Sequence, residues 1–136
     1  MEPTAPQSGV AGPSPHDTPA SSMTRFGIEV VAWVAGPWAA AHAFGSKWVV
    51  LPALLVLVGL PSVFNTPGDK NTTGIATPGP IRIVIEMLLL VVAVGGAWVV
   101  WPVWAALVVA VLGAVMLTTG MARYRWLAAG APSAEA

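Results

Sequence analysis

The 136-residue chain has no cysteine, a single tyrosine and few charges. Without cysteine there is no disulfide, thiolate nucleophile, iron–sulfur cluster or zinc–thiolate site. Six basic and six acidic residues cancel to a net charge of zero, and neither sign forms a run. That excludes the basic patch on which nucleic-acid binding depends. Charged residues make up only 9% of the chain, against about 25% in a soluble domain. No His/Asp/Glu cluster, phosphate loop or nucleophile elbow is present, so neither a metal nor a cofactor is expected. What the chain does have is apolar residues, 56% of the total, and a mean hydropathy of +0.75. The sequence therefore predicts an integral membrane protein of one domain, all-α, because a helix satisfies its backbone within the bilayer.

Residues 1–23 hold five of the thirteen prolines among Ser, Thr, Ala and Gly, too little apolar surface to offset the entropy of ordering. They read as a disordered tail. No basic segment precedes a short apolar core, so this is not the pattern of a signal peptide. A span needs about 20 apolar residues, and four fit: residues 25–44, with a kink predicted at Gly36-Pro37, then 48–64, 81–100 and 102–121. Pro102 divides the last two. Gly45-Ser46-Lys47 reads as a tight turn, and residues 65–80, rich in proline and glycine, as the one long loop. The membrane domain covers 24–126, and 127–136 reads as a C-terminal tail.

Orientation follows from the basic residues, which accumulate at cytoplasmic ends. Arg25, Lys70, Arg82, Arg123 and Arg125 fall on one side and Lys47 on the other, placing both termini and the long loop in the cytoplasm. Trp38, Trp48, Trp98, Trp101 and Trp104 gather toward the opposite end, with Tyr124 and Trp126 at the cytoplasmic one, as interfacial aromatic belts do. The glycosylation-type triplet Asn71-Thr72-Thr73 would then face the wrong compartment for modification.

Spans one and three both open with Arg-x-x-Ile-Glu: Arg25 to Glu29 and Arg82 to Glu86. This suggests two repeated helical hairpins. Glu29 and Glu86 are the only acidic residues within spans, each about 6 Å deeper than its arginine. Helical spacing aligns Arg25, Glu29, Trp33 and Gly36 on one face, and Arg82, Glu86, Leu90 and Ala93 on the other. Ser62, Asn65, Thr118 and Thr119 come to the same level. An ionisable group in a span costs roughly 2.5–3.5 kcal/mol and by default marks function. One reading is an Arg–Glu lock that fastens the bundle. The other is a ligand-binding or catalytic layer, in which two carboxyls sharing a proton divide acid and base roles. Trp33 either packs or walls an apolar pocket, whereas His42 is rotated away toward the outer interface.

From Arg25 to about Tyr124 the chain resembles the YrdB-like family of small bacterial four-span membrane proteins. The resemblance rests on Arg25-Phe26-x-x-Glu29 and on Pro80-Ile81-Arg82-x-x-x-Glu86-Met87-Leu88-Leu89, opening spans one and three. It implies a four-helix bundle in the bacterial cytoplasmic (inner) membrane and no particular activity. Three functions fit the polar layer. The first is binding of an apolar small molecule or a membrane partner, a second copy of the chain included. The second is a cofactor-independent cyclase or isomerase for a lipophilic terpenoid or polyketide, with Glu29 and Glu86 as catalytic acid and base and Arg25, Trp33, Arg82, Ser62, Asn65, Thr118 and Thr119 as ligand-binding residues. The third is a transporter accessory subunit, for which the apolar outer half provides no route across.

Overall fold

The computed structural model describes residues 17–66 and 75–129. Most of them are helical, in five α-helices: α1 (Pro19–Phe44), α2 (Val50–Val63), α3 (Gly79–Val100), α4 (Val103–Thr119) and α5 (Met121–Ala128). A 3-10 turn, Lys47–Val49, leads into α2. Two short strands, β1 (Phe64–Asn65) and β2 (Ile75–Ala76), pair in parallel across the mouth of the long loop.

The all-α expectation holds, and the boundaries differ for local reasons. α1 begins at Pro19, not Arg25, because Thr18 caps it by accepting a hydrogen bond from the Ser21 amide at 3.1 Å, and Pro19 supplies a pre-set φ. Residues 17–23 are thus ordered, against the expected tail. Residues 1–16, the Asn71 triplet, Lys70 and residues 130–136 lie outside the described residues. α1 runs through Pro37 and stops at Gly45, whose φ of 65° is left-handed and lets the Ser46 amide reach back to the Ala41 carbonyl. At the other end, residues 121–128 form a separate helix that turns 61° away from α4. Leu127, expected in a tail, is fully buried.

α1 is the hub: it packs on α2, α3 and α4, with its main seam along α3. Much of the seam is made of small residues. Ala32, Ala35, Ala93 and Ala97 are fully buried, beside Ile28 and Leu89 nearer its start, and a side chain on Gly96 would meet the Ala35 carbonyl oxygen at 2.9 Å. Many bulky residues face outward: Leu55, Val84, Val91, Val108 and Val111 are each more than 60% exposed. Among the described residues α3 is long and apolar enough to cross a membrane. α4 and α5 pass the same test together, as a bent pair. Residues 47–63 are apolar but short, and α1, though 26 residues long, carries Ser21, Ser22, Thr24, Arg25 and Glu29 in its first half.

Candidate functional site

At the end of the molecule where α1 and α3 begin and α4 ends, the polar residues gather around Glu86. It lies one turn after Arg82 on the buried face of α3, and both are essentially inaccessible. α5 folds back beneath α3 and brings Arg123 and Tyr124 to the same carboxylate. Each oxygen accepts two hydrogen bonds. Oε1 takes Arg123 Nη1 at 2.8 Å and the Tyr124 hydroxyl at 3.1 Å, and Oε2 takes Arg123 Nη2 at 2.6 Å and Arg82 Nε at 3.0 Å. The Arg123 contact is a two-pronged fork, the strongest form of this pair. Four donors fill a carboxylate's acceptor capacity.

Arg82 also ties in α2. Its Nη1 donates to the Pro61 and Phe64 carbonyls, each at 2.9 Å. These groups lie at the C-terminal end of α2, where carbonyls lack intrahelical donors and a cation is favoured. One guanidinium thus links the ends of α2 and α3 to Glu86, and through it to α5. Burial, then the negative charge of Glu86, pushes the Tyr124 phenol above its ordinary pKa. It stays protonated, in the state that donates to Glu86.

Arg25, part of the Arg–Glu lock considered from the sequence, also reaches back beyond its own helix. Arg25 holds Asp17, eight residues earlier, at 2.7 and 3.3 Å, and lies within 3.5 Å of the Ser21 hydroxyl. Glu29, half-buried, lines a shallow crevice with Arg25, Ile28, Glu86, Leu89 and Met116. Both glutamates do meet at one place, as their matched depth predicts. The crevice, however, has no room for a water molecule. Glu86, held by two arginines, is also not half of a proton-sharing pair.

The remaining expected site residues disperse. Ser62 and Thr118 are exposed and donate to carbonyls of their own helices, Ser62 to Val58 at 2.7 Å and Thr118 to Ala114 and Val115 at 3.1 Å. Thr119 likewise donates to Val115 at 2.7 Å. A hydroxyl in a helix satisfies itself this way in apolar surroundings. Asn65 is buried, its side-chain amide donating to the Ser62 carbonyl at 3.1 Å. Trp33 donates its indole N–H to the Leu57 carbonyl at 3.0 Å, bracing α1 against α2 instead of walling a pocket. Helical periodicity thus located Glu86 and Arg82 but missed Arg123, Tyr124 and Asp17. Arg123 was visible only as a topology signal, and its position level with Glu86 beside the sole tyrosine was the available clue. Among the described residues no cluster suited to a metal occurs.

Compared with known proteins, the chain matches no family model, no curated protein and no solved structure.

Proposed function

We propose that the chain is a multi-pass protein of the bacterial inner membrane, YrdB-like, with α1 to α4 as four spans and both termini cytoplasmic, and that it acts by binding a membrane partner. Small residues at the closest helix contacts, with many large apolar side chains exposed, support the membrane placement: small residues let helices approach closely in lipid, and a contiguous exposed apolar surface needs an apolar surrounding. Seven large apolar residues more than 60% exposed on α2, α3 and α4 then face acyl chains.

The observation that carries the binding reading is the saturation of Glu86. An acid–base catalyst needs a carboxylate that can exchange a proton with a substrate at hydrogen-bond range. Glu86 has its acceptor positions filled by Arg82, Arg123 and Tyr124, and the crevice beside it excludes even water. It serves as a clasp joining α3 to α5. The same lack of space favours a partner helix over a small molecule, approaching at the half-buried Glu29.

Thermal unfolding in detergent tests this. Removing one member of a buried ion pair costs about 3–5 kcal/mol, so Glu86→Gln is expected to lower the melting temperature sharply. A Glu86→Gln protein as stable as the wild type, but unable to convert a lipophilic precursor that the wild type does convert, would overturn the clasp in favour of the enzyme.

A further inference from the structure

The polar end of the molecule contains four arginines, and their surroundings differ. Arg25, Arg82 and Arg123 are buried, the first on Asp17 and the other two on Glu86. Arg125 is exposed and pairs with no carboxylate among the described residues. The position of α5 is set at three points. At its start, a side chain on Gly120 would come within 3.2 Å of the Ser21 hydroxyl on α1 and 2.9 Å of the Met116 carbonyl. At its middle, Arg123 and Tyr124 hold Glu86. At its end, the Leu127 carbonyl sits where a side chain on Gly79 would be. The helix is therefore clamped at 61° to α4. Its outer face is Met121, Ala122, Arg125, Ala128 and Ala129, all exposed. This face is apolar and low in profile except for one cation.

We propose that α5 lies in the cytoplasmic headgroup layer and that Arg125 binds anionic lipid headgroups. The inference rests on the membrane reading above. In the proposed topology α5 starts where α4 reaches the interface, a level at which an arginine lays its apolar stem along the surface and extends its head to the headgroups, and the flanking alanines leave the guanidinium open to a headgroup phosphate. Charge complementarity selects the lipid. Among the described residues Arg125 is an exposed cation at this end with no carboxylate partner, and an anionic lipid surface attracts a basic side chain close to the end of a span.

The absence of native cysteine makes the test direct. A fluorophore is placed on a single introduced cysteine, in Ala122→Cys, Ala128→Cys or Val91→Cys, and the full chain is reconstituted in phosphatidylcholine vesicles with or without phosphatidylglycerol. Lipids carrying a quencher near the headgroup are expected to quench positions 122 and 128, and lipids labelled deep in the chain to quench position 91. Headgroup-labelled phosphatidylglycerol should quench position 122 better than labelled phosphatidylcholine. Arg125→Gln should remove about fivefold of that preference, the value of one arginine near an anionic surface. Quenching of 122 and 128 by aqueous iodide alone, with 91 still lipid-quenched, would overturn the interfacial helix and leave the membrane reading standing. Iodide quenching at 91 would overturn both. A preference unchanged by Arg125→Gln would remove Arg125 from the role.

Discussion

Asp17 belongs to a stretch that composition reads as tail, yet it forms a two-pronged pair with Arg25 at 2.7 and 3.3 Å. Burial by itself raises its carboxyl pKa, but the hydrogen bond and charge of Arg25 outweigh that and hold it below the ordinary value. As pH falls, the unfolded chain therefore takes up this proton before the folded one does. The stabilisation is complete above the unfolded pKa of about 3.9 and is lost as pH descends through the lower folded value. The melting-temperature difference between wild type and Asp17→Asn is thus expected to be constant near neutrality and to shrink below about pH 4. A difference that stays level across the acid range would exclude the ion pair as its source. Eight residues separate the partners, a spacing that matches no helical neighbour rule. Arg123 and Glu86, 37 residues apart, were equally hidden. Arg82 and Glu86 were legible because four residues on one helix fix their geometry without knowledge of the fold.

At the scale of the element, α2 shows how a proline is accommodated. Pro61 lies within the helix and has no N–H, so the Leu57 carbonyl four residues earlier loses its intrahelical donor. The Trp33 indole supplies one at 3.0 Å. Trp33→Phe keeps the aromatic bulk but leaves that carbonyl unpaired, and is expected to destabilise by about 1–3 kcal/mol. In a Pro61→Ala background the backbone amide at position 61 can take over, so the same substitution should cost less. A double-mutant cycle on unfolding in detergent measures the difference, and strict additivity would mean that the indole contributes packing alone. The sequence placed both residues within helices but could not pair them, since their distance depends on how α1 crosses α2. The α4–α5 elbow was missed for a related reason: Thr118 to Met121 contains no proline to mark a break, and the turn is stabilised by tertiary contacts.

For the whole molecule, the pattern of apolar helices was the most legible feature, because it depends on hydropathy and length alone. In the proposed topology, reporters active only in the cytoplasm should work when fused at residue 1 or 136 and fail in the turn at residues 45–47. The reverse pattern would invert the assignment. The α3–α5 clasp also bears on how such a protein is made. Synthesis runs from the N-terminus, so α3 leaves the ribosome with Arg82 beside Glu86 and with Arg123 not yet added. During that interval the carboxylate has one cation where the finished protein gives it two, and the start of α3 lacks the contacts that α5 later supplies. The last helix to be translated completes the charge balance of an earlier one, and assembly of this end of the molecule cannot finish before residue 123 has been joined.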